Sequence, residues 1–243
     1  MEIRKNTALN FTVYGLATMG TVVGETSGSH LLVYVCKPVM MLILSSWFFY
    51  KSRRVGDRFT LLIQAGMFFS LIGDIALMFQ HLDDFNFLIG LASFLIAQLC
   101  YAIGFLHNIV DVGPARGGLV STLAAVALVA YGYFFASSLI PAVDDGIAVP
   151  VGIYVAAISL MGVMAAFRFG RTFMQSFILT MMGALFFVAS DSILAINRFL
   201  RPLDHASWSV ILTYAIAQLC IAWGALIHVL DPEEIRRKAS LST

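Results

Sequence analysis

Charged side chains are scarce in this sequence. Asp, Glu, Lys and Arg make up 12% of its 243 residues, whereas apolar residues make up 60%. Soluble domains carry about 25% charged residues, so the composition excludes an ordinary soluble domain and predicts an integral membrane protein. The net charge of +1, without a basic patch on one face, gives no indication of a nucleic-acid partner.

Cysteine is also rare, and no cysteine falls in a predicted loop. Cys36, Cys100 and Cys220 lie inside apolar runs, which indicates packing residues rather than disulfides or zinc ligands. The chain lacks the nucleophile elbow of serine hydrolases, the two-histidine zinc helix and the phosphate-binding glycine loop. His81 and His205 lie near aspartates, but their spacing is not that of metal ligands. We therefore predict no metal site.

Long apolar runs dominate the chain instead. A membrane-spanning helix needs roughly 20 apolar residues, and eight candidate runs reach that length, the first being the weakest because Thr and Gly dilute it. Short polar turns separate the runs, which is typical of a helical bundle rather than a barrel. We predict one all-α membrane domain over residues 1–243, with spans near 8–24, 30–50, 59–80, 86–107, 118–139, 148–167, 173–196 and 207–229.

Lys and Arg residues between the spans predict the orientation. Cytoplasmic loops carry an excess of both residue types, so the richer side, which holds both termini, is predicted to be cytoplasmic. The short termini and the lack of a retention signal favour a bacterial inner membrane. The richer side carries Arg4, Lys5, Lys51, Arg53, Arg54, Arg58, Arg116, Arg168, Arg171, Arg236, Arg237 and Lys238, and the other side carries Arg198 and Arg201.

The chain contains an internal repeat. The words IAQLCYAIG at 96–104 and IAQLCIAWG at 216–224 are offset by 120 residues, and each follows an apolar stretch with one aspartate. These aspartates, Asp74 and Asp191, are offset by 117 residues.

The repeat predicts two halves, at about 1–110 and 111–243, with four helices each. Pro38 and Pro150 extend the match weakly to the second and sixth spans. Because four is an even number, both halves keep the same topology, so we expect a pseudo-twofold axis along the membrane normal. A shared site is expected between the halves.

The two aspartates are the main candidates for chemistry. An ionisable group inside a membrane is costly and indicates function, although a buried polar group can also fix helix packing. Counting along the helices places both in the half of the bilayer away from the cytoplasm. Two neighbouring carboxyls resist simultaneous ionisation, so one can donate a proton while the other activates water. This arrangement suits hydrolysis of an acid-labile bond and equally suits a proton-coupled transporter of a small molecule or a lipid.

Other polar side chains are predicted to converge on the same cavity and to bind substrate. The glutamines could instead join helices, the tyrosines could pack as aromatic residues, and the arginine could anchor the membrane boundary. The lysine either extends to the interface or keeps a carboxylate ionised as its counter-charge. These residues are Lys37, Gln98, Tyr101, Tyr154, Asn197, Arg198, Tyr214 and Gln218.

The words IGDIALMF, ASDSILAINRF and TYAIAQLC, with a Lys-Pro pair near the second span, resemble the YhhN-like lysoplasmalogenases over nearly the whole chain. The resemblance implies a polytopic membrane hydrolase that cleaves the vinyl ether bond of lysoplasmalogens. The expected products are a fatty aldehyde and glycerophosphoethanolamine or glycerophosphocholine. It further implies a lysophospholipid substrate within the bilayer and no organic cofactor, and it leaves the oligomeric state open.

The resemblance also assigns residues. Asp74 and Asp191 match the two aspartates of the family, and Asn197, Tyr101, Tyr214 and Gln218 match its polar positions. Gln98 stands where the family motif often has histidine, which leaves proton transfer to the aspartates. Vinyl ethers hydrolyse by protonation at carbon, after which water captures the oxocarbenium ion. We expect one aspartate to be the acid and the other the base or cation stabiliser, with Lys37 or Arg198 meeting the lipid phosphate.

Overall fold

The computed structural model describes residues 6–52, 57–112 and 117–230, and within helix 84–112 it leaves the last two side chains undescribed. These ranges fold into eight long helices without a strand, which confirms the predicted all-α bundle. A 3₁₀ turn, Ile140–Ala142, follows the fifth helix, and a π-helical turn, Ile196–Leu200, prolongs the seventh. The helices are α1 Thr7–Ser27, α2 His30–Ser52, α3 Arg58–Met78, α4 Asp84–Val112, α5 Gly118–Leu139, α6 Asp145–Ala166, α7 Met174–Ala195 and α8 Ala206–Val229.

Seven of these helices, α2 to α8, are long and apolar enough to cross a membrane, as judged over the described ranges. The protein is therefore an integral membrane protein. Helix α1 has 21 residues but falls below the other seven in hydropathy. The hydropathy of α1 is lower because the helix contains several threonines. The hydroxyls of Thr18 and Thr21 donate to the carbonyls of Tyr14 and Ala17, one turn earlier.

Helix ends in the first half carry local sequence signals. The side chain of Asn6 accepts a hydrogen bond from the Leu9 N–H at the start of α1, and Asp57 does the same for Thr60 at the start of α3. Gly28 ends α1 in the left-handed conformation with φ 70°, which glycine adopts without a Cβ clash. These caps fix the short connections that bring successive helices side by side.

Helix contacts recur in the two halves. Helix α1 packs on α2, α2 on α3 and α3 on α4, and the same order of contacts runs from α5 to α8. Across the halves, α4 contacts α6 and α8 contacts α2. Asn108 and His228, which are equivalent at the offset of 120, bond to each other with 2.8 Å between Nδ2 and Nε2. Equivalent residues meet in this way near a twofold axis.

Small residues allow α7 and α8 to approach closely. A Cβ added to Gly183 would lie 2.9 Å from the carbonyl oxygen of Ala217, and one added to Gly224 would lie 2.9 Å from the backbone nitrogen of Thr180. Close backbone approach at small residues is a general source of helix association in membranes. It holds α7, which carries Asp191, firmly against α8.

Arg168 lies in the connection after α6, as the sequence predicts, but its side chain is not exposed there. It follows α6 and is fully buried, where its guanidinium donates to Asn108 at 3.0 Å, to Ser176 at 2.9 Å and to Thr180. Within the described ranges no carboxylate pairs with it. Burial lowers the pKa of Arg168 to about 9, so the side chain stays charged near neutral pH. It links α4 to the start of α7.

The orientation stays a prediction. Of the residues on which it rests, Arg4, Lys5, Arg53, Arg54, Arg116, Arg236, Arg237 and Lys238 lie outside the described residues.

Candidate active site

Asp74 lies near the end of α3 with 1% of its surface exposed. The Lys37 ammonium, from α2, lies 3.3 Å from its Oδ1. The Tyr214 hydroxyl, from α8, donates to its Oδ2 at 2.6 Å. Lys37 is thus a counter-charge to Asp74, and with a cation and a phenol against it this carboxyl is arranged as an anion.

Asp191 lies in α7 in a different environment. The Tyr154 hydroxyl, from α6, donates to its Oδ2. Within the described ranges no Lys or Arg forms an ion pair with Asp191. The two acids that the repeat makes equivalent therefore differ in the charge beside them.

The internal repeat shows which equivalent positions differ around the two acids. The offset of 117 that relates Asp74 to Asp191 also relates Lys37 to Tyr154, and the offset of 120 relates Phe94 to Tyr214. Asp74 is thus flanked by a cation and a phenol, whereas the equivalent positions around Asp191 supply a phenol and a phenyl ring.

The contacts also correct the predicted match of the two prolines. Pro38 and Pro150 are offset by 112 residues, whereas the offset of 117 that aligns the acids and their partners pairs Pro38 with Val155. The two prolines therefore do not occupy equivalent positions in the halves.

Both aspartates line one polar cavity of about 390 Å³. It reaches the end of the bundle where the α1–α2, α3–α4 and α7–α8 connections lie, and Lys37, Tyr214 and Asn197 line it as well. Asn197 also accepts a hydrogen bond from the Leu203 N–H at 2.9 Å, which shapes the connection to α8. The structure thus brings these predicted side chains together at one cavity.

A second cavity, the apolar slot, of about 70 Å³, lies among α4, α5, α6 and α7. Aliphatic and aromatic side chains form most of its wall, and Tyr154 and Asp191 contribute two of its few polar groups. Tyr131 of α5 lines it and is 45% exposed, so the slot reaches the lipid-facing surface. Arg198 and Phe87 line it at the same end of the bundle as the polar cavity.

Asp191 belongs to the walls of both cavities. The residues that the polar cavity and the apolar slot share are Leu77, Phe94, Asp191 and Leu194. Asp191 is the ionisable member of this group. One carboxyl therefore separates a space suited to water from a space suited to a hydrocarbon chain.

Tyr101 and Gln218 are buried between the halves and line neither of these cavities. The Tyr101 hydroxyl donates to Gln218 Oε1 at 2.7 Å, and Gln218 Nε2 donates to Ser70 Oγ at 2.9 Å. These bonds join α3, α4 and α8, so the interpretation as a link between helices fits this pair better than substrate binding.

Gln98, the repeat equivalent of Gln218, is also fully buried. It lies near the Tyr154 hydroxyl, but neither amide atom makes a hydrogen bond of normal geometry to a described residue. The positions equivalent to Tyr101 and Ser70 are Ile221 and Phe187, so apolar side chains stand where Gln218 has its hydrogen-bond partners. Gln98 therefore lies beside the phenol that binds Asp191, without the partners that Gln218 has.

Sequence reasoning missed the surroundings of Arg198. Its guanidinium contacts Gln80 and Asp84, each at 3.2 Å, and lies over the Phe87 ring. Proximity of the α3–α4 connection to the end of α7 is a tertiary feature without a sequence signal. By contrast, the sequence could have identified Phe94 as a site residue, because the offset of 120 relates it to Tyr214.

The described residues contain no cluster of three His, Cys, Asp or Glu side chains that could hold a metal ion. His81 stacks on His30 with ring centroids 5.7 Å apart, and His205 lies against Trp208.

The fold and the site together define a polytopic membrane protein with a buried acid pair shared between two repeat halves. The chain belongs to the YhhN family, whose sequence model matches residues 32–225. No solved structure matches the chain.

Curated relatives carry lysoplasmalogenase names. Lysoplasmalogenase TMEM86A of Homo sapiens is 32% identical over 167 residues, which are 68% of this chain and 65% of that protein, slightly under two thirds of its length. Lysoplasmalogenase TMEM86B of Sus scrofa is 29% identical over 77% of this chain and 71% of its own length. Lysoplasmalogenase of Mycobacterium tuberculosis is 31% identical over 57% of this chain and 50% of its own length.

Proposed function

We propose that this protein is a membrane hydrolase that cleaves the vinyl ether bond of lysoplasmalogens. The products would be a fatty aldehyde and glycerophosphoethanolamine or glycerophosphocholine. Family membership and the names of the relatives support the substrate class. The observation that carries the proposal is the position of Asp191 between the polar cavity and the apolar slot, because this hydrolysis requires a lipid chain and water at one acid.

Asp191 is the proposed general acid. It lies in the membrane interior beside a phenol and phenyl rings, without a cation among its described neighbours, and a carboxyl in such surroundings keeps its proton. That proton is transferred to the second carbon of the vinyl ether, whose π electrons form the new C–H bond. The ether oxygen stabilises the resulting oxocarbenium ion at the first carbon. Tyr154 holds the carboxyl in place through its hydrogen bond.

Asp74 is the proposed base and cation stabiliser. Lys37 and Tyr214 hold it as an anion, and it faces the cavity from which water reaches the cation. Water adds to the first carbon and gives its proton to Asp74. The hemiacetal hydroxyl then gives its proton to Asp191, the bond to the glycerol oxygen breaks, and that oxygen takes the proton held by Asp74. The aldehyde leaves, and both acids return to their starting states. Water is consumed and no redox partner is needed.

A proton-coupled transporter is the second candidate. A polar cavity that is shared between repeat halves and holds an acid pair is also typical of transporters. Such a protein would move substrate into liposomes in response to a pH gradient without releasing aldehyde. The apolar slot beside Asp191 argues against a transporter of polar small molecules, and the names of the relatives favour the hydrolase over a lipid transporter.

The orientation proposed for the site follows the loop charges. Lys51, Arg58 and Arg171 lie at the end of the bundle opposite the polar cavity, and basic residues mark the cytoplasmic side. We therefore propose that the cavity opens away from the cytoplasm and that both termini are cytoplasmic, in a bacterial inner membrane.

A pair of matched substrates tests the proposed function. Purified protein is given a 1-alkenyl lysophosphoethanolamine or the 1-alkyl ether of the same chain length, and aldehyde is measured by mass spectrometry. We expect aldehyde from the alkenyl lipid alone, because only a carbon–carbon double bond accepts a proton to form the oxocarbenium ion. Absence of aldehyde from the alkenyl lipid, with pH-driven uptake in proteoliposomes, would establish the transporter instead.

A further inference from the structure

The outer end of the apolar slot carries the positively charged side chain of Arg198, and a ligand could replace its present polar contacts. Arg198 lies in the π-helical turn Ile196–Leu200 that prolongs α7, and single-turn π segments are frequent at functional sites. Its guanidinium donates to Gln80 Oε1 and to Asp84 Oδ1, each at 3.2 Å. The guanidinium carbon lies 3.9 Å from the centroid of the Phe87 ring.

These contacts fix the orientation of the Arg198 guanidinium, but they neutralise its positive charge only weakly. Phe87 stacks on its face, so the N–H groups on its edge stay directed toward polar partners. The Asp84 side chain is 94% exposed and that of Arg198 is 28% exposed. Ion pairs at such exposure contribute little, because water screens them. A ligand with a more strongly accepting anion can therefore displace Asp84.

We propose that Arg198 binds the phosphate of the lysophospholipid substrate at the outer end of the apolar slot. This inference rests on the proposed function and names the group that anchors the head of the substrate. A planar guanidinium matches two phosphate oxygens at once. Lys37 is not available for this role, since it pairs with Asp74 in the polar cavity.

Spacing along α7 supports the assignment. Arg198 follows Asp191 by seven residues, or about 10 Å of helix, and both side chains line the slot. A phosphate at Arg198 places the glycerol backbone between the two residues and the vinyl ether next to Asp191. The alkenyl chain then continues past Tyr131 toward the lipid-facing surface. The head group lies at the membrane boundary and the chain lies in the apolar interior, as in a free lysolipid.

The test compares two ligands that differ only in the phosphate group. The protein with Arg198→Gln is titrated with a 1-alkyl ether lysophosphoethanolamine, which is not expected to be hydrolysed, and with the matching 1-alkylglycerol. We expect affinity for the phospholipid to fall about 10- to 100-fold, as for the loss of charge-assisted hydrogen bonds. Affinity for the alkylglycerol stays unchanged and shows that the variant is folded. Arg198→Lys recovers part of the loss.

Arg201→Gln is the matched control, because Arg201 is an exposed arginine three residues further along the chain. It should change neither affinity. Equal losses for both ligands in Arg198→Gln would overturn the inference and assign Arg198 a structural role, and unchanged phospholipid affinity would overturn it as well. Since the binding assay does not depend on turnover, an enzyme that binds as expected but releases no aldehyde from the alkenyl lipid would refute the proposed function alone.

Discussion

Replacement of Asp191 by Asn is expected to lower the rate of aldehyde release by about 100- to 10,000-fold, the range in which a general acid contributes. The amide keeps the size of the side chain and can still accept the Tyr154 hydrogen bond, but it has no acidic proton for the vinyl ether carbon. The rate is measured at saturating alkenyl lysolipid. Binding of the alkyl ether analogue, measured in parallel, should change little, because the loss affects the chemical step.

Asp145→Asn is the matched control for this substitution, since Asp145 is exposed and does not line the polar cavity or the slot. Asp74→Asn should also lose activity, because water activation fails. If Asp191→Asn released aldehyde at the rate of the unchanged protein while Asp74→Asn did not, the roles of the two acids would have to be reversed. Full activity in both variants would exclude acid–base catalysis by the pair.

Replacement of Lys37 by Met is expected to have the largest effect on stability. The Asp74 carboxyl is almost fully buried and Lys37 is its cation, and removal of one partner from a buried ion pair destabilises a protein by about 3–5 kcal/mol. The free energy of unfolding in detergent, from denaturant titration, measures the loss. Catalysis should fall as well, because Asp74 would take up a proton to avoid an uncompensated charge.

Two further variants separate charge from packing. The double substitution Lys37→Met with Asp74→Asn removes both charges and should recover much of the stability while remaining inactive. Tyr154 is the repeat equivalent of Lys37. Tyr154→Phe removes one hydrogen bond to Asp191 but leaves no unpaired charge, so the free energy of unfolding should fall by only about 1–3 kcal/mol. A Lys37→Met protein as stable as the unchanged one would show that the ion pair does not hold Asp74 as an anion.

Much of the helical architecture was predictable because apolar length alone defines a membrane span. The predicted bounds of α2 to α8 agree closely with the observed ones, and the weakest predicted span is the helix that falls short in hydropathy. Arg168 shows the limit of this reasoning. Its position after α6 put it among the loop charges, but its burial depends on Asn108, Ser176 and Thr180 from other helices, which loop counting does not include.

The acidic residues of the site could be predicted from the sequence, but the shape of its cavities could not. The repeat singled out Asp74 and Asp191, and Lys37 and Tyr214 were among the side chains predicted to converge on the same cavity. The same pattern placed Tyr101 and Gln218 in the cavity, whereas they bond to each other beside it. The apolar slot depends on how α5 packs near α7, and no sequence motif indicates this packing. The position of Asp191 between the two cavities is therefore visible only in the structure.

The central claim is that the protein transfers a proton to a carbon atom of the lipid, and hydrolysis in D₂O tests it most directly. The aldehyde is reduced to the alcohol as it forms and its mass spectrum is recorded, with authentic aldehyde in the same buffer as the control for exchange. The account predicts one deuterium at the second carbon of every product molecule and none in the control. Aldehyde released without deuterium at that carbon would contradict it.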